Sequence, residues 1–461
     1  MNNLSNIDDR QFYMAITGLK SEDLKLDKNS GLDCMNCMKA IPEWVLEDAG
    51  DFIYLNEYDC ENCGEPLGWT LGRYLQGYLL GVLQSVGPNK EKQKWMKQLK
   101  ENINNFKKNF KSFSPLICFA IKSNTNLNLI KEIKRFGLGA DVVSIGELMI
   151  ALKAGINPKK IVFSGVGKTS HEISYAIDKK ILLINAESKS EIKEIDRIAK
   201  LKKKQIQIGI RLNPNTDAKT LNQISTGKKE NKFGVNNKTF FELVNYCKNS
   251  KNIDLKCLSV HIGSQILDHK PYEKMLREIS KIINRINHKF EFIDLGGGMG
   301  ISYKKNNKKL NYKKYNNAIK KFLKNHKSKI IFEPGRSIIG NTGILISKII
   351  YIKKSERKNF VILDTAMNDL IRPALYGAIH KILPSIKKNK KSKKIYEFVG
   401  PICESTDKFV TIKNFQELKE KDLIAICDVG AYGMSLSSNY NLRPKAIELL
   451  IKKSKVKIIR K

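Results

Sequence analysis

Eight short apolar runs recur through the middle of this chain, at 116–121, 140–145, 161–166, 181–185, 206–212, 255–262, 290–295 and 330–332. Runs of that length suit buried strands. The lysine- and glutamate-bearing stretches between them, such as 126–136, 188–202 and 272–287, repeat their apolar residues at the spacing of an amphipathic helix, and a charged amphipathic helix is expected over 92–111. Strands alternating with helices eight times point to a (β/α)8 barrel of the TIM type. Polar residues stand where the runs end: Lys122 after the first, Ser144 at the second, Ser164 and Gly165 at the third, Arg211 and Asn213 at the fifth. His261 and Ser264 follow at the sixth, Gly296, Gly297 and Gly298 at the seventh, and Glu333, Pro334, Gly335 and Arg336 at the eighth. In a barrel these ends meet at one mouth, whereas an open doubly wound sheet would not gather them in a ring.

The flanks have a different texture. Residues 1–75 form an N-terminal extension with two Cys-x-x-Cys pairs, Cys34/Cys37 and Cys60/Cys63, the second followed by Gly64. Tetrahedral zinc prefers four thiolates, and a pair two residues apart can chelate from one tight turn, so a zinc-ribbon-like fold with a structural zinc is expected. The 90–337 segment is the barrel. From 338 to 461 the chain turns strand-rich, with β runs at 343–352, 360–363, 394–399, 408–412 and 423–428, giving an all-β sandwich or barrel domain that strands from the N-terminal side can join.

Composition narrows the class further. The hydrophobic fraction of 41% is that of a globular protein, and no apolar run approaches the roughly 20 residues of a membrane span. The polar start, 1–10, lacks a secretory signal, and nine cysteines with no even framework fit a reducing compartment, so a cytoplasmic location is expected. A net charge of +37 invites nucleic acid. The excess is mostly lysine spread over solvated segments, however, with no nucleic-acid module beside it.

The strand-end residues suggest a chemistry. A lysine at the end of a buried strand is partly desolvated, which lowers its pKa and favours imine formation with an aldehyde cofactor, although alone Lys122 could simply snorkel to the rim. The triple glycine exposes backbone amides to a phosphate. It is not a dinucleotide fingerprint, because Ile301 stands where the last glycine should be. Val162 similarly denies 165–169 a P-loop reading. Glu333 offers a carboxylate that could keep a pyridine nitrogen protonated, Arg336 a planar fork for phosphate or carboxylate, and His261 a ring to stack or exchange protons.

The segments 120–124 (AIKSN), 140–148 (ADVVSIGEL), 261–265 (HIGSQ), 294–298 (DLGGG), 333–337 (EPGRS), 372–376 (RPALY), 400–405 (GPICES) and 430–433 (GAYG) together resemble the diaminopimelate decarboxylases. Several are shared singly with ornithine and arginine decarboxylases, and the order and combination make the likeness specific from about residue 92 onward. The resemblance implies an alanine-racemase-like barrel binding pyridoxal 5'-phosphate, a C-terminal β domain and a homodimer with active sites at its interface. It implies Lys122 as the covalent anchor, His261 on the ring, Glu333 at the pyridine nitrogen, and Ser144, Ser264, the glycines, Pro334, Gly335, Arg336 and Tyr432 around the cofactor. Cys403 becomes the proton donor, with Glu404, from the partner subunit. Arg336, Arg372 and Tyr376 grip a distal carboxylate, Glu404 meets the distal ammonium, and Tyr432 also borders the substrate. The expected reaction is decarboxylation of meso-2,6-diaminopimelate to L-lysine. The alternatives are a relative acting on ornithine, arginine, a polyamine precursor or a carrier-bound amino acid, and a zinc-ribbon nucleic-acid adaptor on an inactive decarboxylase body.

Overall fold

The computed structural model describes residues 11–16, 89–218, 226–227, 230–303, 309–385, 388, 390–452 and 455–460. They divide into two units, one spanning Glu101–Gly340 and the other Asn341–Lys461 together with the described residues before Glu101. The four cysteines of the expected zinc ribbon lie outside the described residues, and among the described residues no cluster of His, Cys, Asp or Glu could hold a metal ion.

A first strand, β1 (Gln11–Ile16), precedes the barrel in the chain. All eight apolar runs then become strands: β2 (Leu116–Ala120), β3 (Gly139–Val142), β4 (Ile161–Phe163), β5 (Leu183–Ala186), β6 (Ile206–Arg211), β7 (Ile253–Ser259), β8 (Phe292–Asp294) and β9 (Lys329–Phe332). They pair in parallel and in sequence, and β9 closes on β2 through Leu116↔Ile331 and Ile117↔Phe332. Helices of nine to fourteen residues follow most strands, starting at polar caps that accept the orphan amides of the first turn. Asn126, Ser144, Thr169, Ser188, Asn236 and Asn311 play this part, and Thr169 with Glu172 makes a full capping box.

The helix Asn89–Phe110 places Ile103, Phe106 and Phe110 on one buried face by their three- and four-residue spacing. Phe106 and Phe110 meet Phe332, at the end of β9, with ring centroids 5.4 and 4.8 Å apart. Tyr315 packs 4.3 Å from Tyr272 in a stacked pair within the same aromatic cluster. Each buried phenylalanine contributes about 1.5–3 kcal/mol of hydrophobic stabilisation.

The other unit is a sheet built on β10 (Gly343–Lys353), whose first half pairs with β15 (Leu423–Cys427) on one side and β1 on the other. A bulge between Ile349 and Tyr351 turns its second half onto β11 (Lys358–Leu363), followed by β13 (Ile395–Val399) and β14 (Lys408–Ile412). The short β12 (Ile382–Pro384) pairs with β15, and β16 (Ile447–Lys452) and β17 (Lys455–Arg460) extend the sheet beyond β1. Leu345, Ile349, Val361, Leu363, Phe398, Ile424 and Ile426 form its apolar core.

Candidate active site

In the barrel unit the strand ends bring together most of the residues singled out above. Lys122 follows β2, and its Nζ lies 2.5 Å from Oδ2 of Asp141 on β3; the lysine side chain is 40% exposed and the aspartate fully buried. Asp141 was legible only as part of a motif. Its Oδ1 is buried with no hydrogen-bond partner, so the neighbouring amine is the main compensation for this charge.

Glu333 follows β9, the strand beside β2, and its Oε1 accepts from the Ser164 hydroxyl at 3.1 Å. Burial pushes its carboxyl well above the usual range, and the charges of Asp141 and Asp294 push it further. Asp294, at the end of β8, is raised to about 6, chiefly by burial. Its Oδ2 accepts from Asn185 at 2.9 Å and Ser259 at 3.3 Å, and its Oδ1 from the Gly296 amide at 2.9 Å. Three carboxyl groups in one buried site repel one another's charge, so Glu333 and Asp294 bind a proton more readily than a carboxyl in water.

The glycine turn follows from steric contact. A Cβ on Gly297 would lie 2.2 Å from the Glu333 carbonyl, and one on Gly298, at φ +86°, 2.2 Å from the Gly263 carbonyl. The Gly297 amide donates to Nδ1 of His261 at 3.1 Å, which leaves the imidazole proton on Nε2. Burial, then the positive charges of Arg211 and Lys122, hold that ring well below its ordinary pKa, so it is neutral. Arg336 donates to the Ser264 hydroxyl at 3.2 Å and to the Tyr303 hydroxyl at 2.7 Å, and the Ala120 amide donates to the Pro334 carbonyl at 3.2 Å. Gly335 sits so near Ser123 that a Cβ would approach its side chain to 3.0 Å. Sequence reading missed Glu187, which accepts from Arg211 at 2.9 Å and from the Gly165 and Gly234 amides, tying three strand-end segments to one carboxylate.

Ser144 also has a local task. Its hydroxyl caps the helix Ile145–Lys153, accepting from the Glu147 amide at 3.3 Å.

The remaining predicted residues lie in the sheet unit. Arg372 opens the short helix Arg372–Tyr376 and is buried, donating to His380 at 2.9 Å, while Tyr376 closes that helix half-buried. Cys403 and Glu404 are exposed on the loop between β13 and β14. Glu404 accepts from the Tyr440 hydroxyl at 2.6 Å and the Thr406 hydroxyl at 3.0 Å, which lowers its pKa. Tyr432 follows β15 in the left-handed region at φ +59°. Asp407, which the sequence did not advertise, winds the Cys403 loop: it accepts from the Ile402 and Met367 amides, each at 2.8 Å.

Residues 96–340 match the family model described as pyridoxal-dependent decarboxylase, pyridoxal binding domain. The chain is 43% identical over 367 residues to diaminopimelate decarboxylase of Helicobacter pylori, covering 79% of this chain and 90% of that one. It is 41% identical over 366 residues to diaminopimelate decarboxylase of Aquifex aeolicus, covering 79% and 86%. The crystal structure of the Helicobacter pylori enzyme complexed with L-lysine aligns at a TM-score of 0.75 and 43% identity, covering 79% of this chain and 92% of that one. Sequence motifs, barrel and strand-end constellation agree with these relatives, and the chain belongs to the diaminopimelate decarboxylase family of pyridoxal-dependent decarboxylases.

Proposed function

We propose that this chain decarboxylates meso-2,6-diaminopimelate to L-lysine and carbon dioxide, with pyridoxal phosphate held in the barrel mouth. The observation that carries the reading is the convergence, at the strand ends of one barrel, of an accessible amine on Lys122, a glycine turn with no room for a Cβ, and the buried carboxyl of Glu333. These residues fit the cofactor: an aldehyde needs the amine, a phosphate needs a backbone turn that no Cβ shields, and a pyridine nitrogen needs a carboxyl group to share its proton. When bound, pyridoxal phosphate supplies a conjugated ring that takes up the electron pair of the broken carbon–carboxylate bond.

The chain's own residues then have definite tasks. Lys122 would anchor the cofactor through its amine, beside the Asp141 carboxylate that holds that amine in place. Glu333 would share a proton with the ring nitrogen, and neutral His261 would pack on the ring. Ser264, the glycine turn 296–298, Arg336 and Tyr432 would hold the phosphate, with Pro334, Gly335 and Ser144 lining the cofactor. Cys403 delivers a proton from Sγ to the carbon that lost its carboxylate. Arg336, Arg372 and Tyr376 grip the distal carboxylate, Tyr432 borders it, and Glu404 meets the distal ammonium. A substrate without that carboxylate would forgo the charge-assisted contact with these arginines, which favours diaminopimelate over ornithine or arginine.

The working unit is a homodimer in which a second copy brings Cys403 and Glu404, a reading supported by their exposure. Cys118, Cys247, Cys257, Cys403 and Cys427 are in no disulfide among the described residues, which suits a reducing cytoplasm, and among the described residues no helix is long and apolar enough to cross a membrane. The spacing of Cys34, Cys37, Cys60 and Cys63 supports a structural zinc; metal analysis should find about one zinc per chain, lost when Cys60 and Cys63 become serine.

The deciding experiment is carbon dioxide release by the purified, cofactor-loaded protein from meso-diaminopimelate, ornithine, arginine and lysine. Release from the first alone is expected. Release only from one of the others would overturn the substrate assignment.

A further inference from the structure

We propose that His380 is a positioning residue: it locks the Arg372 guanidinium in one orientation and so sets how well the site tells a distal carboxylate from a neutral group. The proposal rests on the reading of Arg372 given above. Its basis is a pair of contacts made by one ring. Nη1 of Arg372 lies 2.9 Å from Nε2 of His380, and Nδ1 of His380 lies 2.8 Å from the Cys427 carbonyl oxygen.

A guanidinium has donors and no acceptor, so Nε2 must be the acceptor and carries no proton. A carbonyl only accepts, so Nδ1 must carry the proton. Both contacts therefore demand the same neutral tautomer, and the ring bridges a fixed carbonyl to a mobile cation without frustration. Both side chains are buried, Arg372 at 5% exposure and His380 at 2%, so neither contact competes with bulk water.

The anchor is firm because of where it sits. Cys427 ends β15, which is paired on one side with β10 and on the other with β12. The Cys427 amide donates to the Lys381 carbonyl at 2.8 Å, so the segment carrying His380 is stitched to the strand that receives its ring. Gly377, at φ +60°, turns the chain after the Arg372–Tyr376 helix and lets residue 380 return to residue 372. Arginine loses much rotamer freedom when a ligand immobilises it; an arginine already held by a neighbour has lost it beforehand.

The product makes the test selective, because L-lysine keeps the carboxylate that is not removed. L-lysinamide differs from it only by an amide there. Inhibition of the holoenzyme by both compounds is measured for the wild type, His380→Asn, His380→Gln and Arg372→Met. Asparagine can keep the bond to the Cys427 carbonyl but offers no acceptor at the Nε2 position, whereas glutamine can place one there. His380→Asn should weaken L-lysine inhibition and raise the KM for meso-diaminopimelate by about tenfold, with a smaller change in kcat and in lysinamide inhibition. His380→Gln should recover most of the preference. Equal weakening of both inhibitors, or no change in either, would overturn the proposal. Should His380→Asn fail to fold, His380→Gln decides alone, and a tenfold loss of the lysine preference there counts against it. If Arg372→Met leaves the preference intact, the reading of Arg372 fails, and that result is distinct from the failure of His380.

Discussion

At the scale of single residues, the buried carboxyl groups behind the barrel mouth make the protein's stability depend on pH in an unusual direction. Glu333 is raised by burial and by its neighbours Asp141 and Asp294, and Asp294 is raised to about 6 by burial. Above the ordinary carboxylate range the folded state therefore binds more protons than the unfolded chain, and stability falls as pH rises. The contribution is complete at acid pH, below the unfolded values, and is lost as pH rises, through about pH 6 for Asp294 and through the raised value of Glu333. Replacing Glu333 by Gln keeps the shape and removes the titration. Cofactor-free Glu333→Gln should match the wild type near pH 5 and exceed its Tm at pH 8, by about 2–4 °C for each kcal/mol of relieved repulsion. A Tm difference that is the same at both pH values would refute this. These partnerships also show what the sequence could not reveal. Lys122 and Glu333 were legible because each follows an apolar run, but Asp141, Asn185 and Asp294 sit inside or at the edge of such runs, and only barrel closure shows which groups across the interior they meet.

At the scale of elements, one position at a strand end can serve either the site or the next helix. Ser144 looked like a cofactor ligand and caps the helix Ile145–Lys153, as Thr169 caps Ser170–Asp178. Ser144→Ala should cost about 1 kcal/mol, a Tm loss of about 2–4 °C by calorimetry, and Thr169→Ala a similar amount. Unchanged stability with a tenfold loss of cofactor affinity would assign Ser144 to the cofactor instead. The turn after β8 is less tolerant: Gly298→Ala forces a Cβ against the Gly263 carbonyl at positive φ, so about 1–3 kcal/mol of stability and most pyridoxal phosphate affinity should go together, as read by thermal melting and spectral titration. The barrel strands were readable because each is a dense apolar run. β16 and β17 were not, since their lysines and arginine read as a solvated tail; in β17 the Lys455, Val456, Lys457, Ile458 alternation is that of a strand with one polar face. The short β12, only three residues ending in Pro384, carries too little pattern to announce itself.

At the scale of the whole molecule, the question is whether one chain owns a complete site. Cys403 and Glu404 are exposed, and Glu404 is held by Tyr440, on a segment where Leu436, Tyr440 and Leu442 all stand in solvent, Leu442 at 89%. Three large apolar or aromatic side chains exposed within one short segment are a recurrent mark of a surface covered by another protein. If that cover is a second copy, the proton donor of each site comes from the partner, and two dead proteins can repair each other. On the proposed roles Lys122→Ala lacks the anchor and Cys403→Ala the donor, so each variant alone should be almost inactive. When equal amounts are dissociated together and reassembled, half the dimers are mixed, and in each of these one site unites an intact Lys122 with an intact Cys403. Activity should rise to about a quarter of the wild type. A chain that used its own Cys403 would give no recovery, because every site would then keep its original defect. Leu442→Asp should abolish the recovery by keeping the copies apart, and sedimentation of that variant as a monomer would tie the loss to assembly.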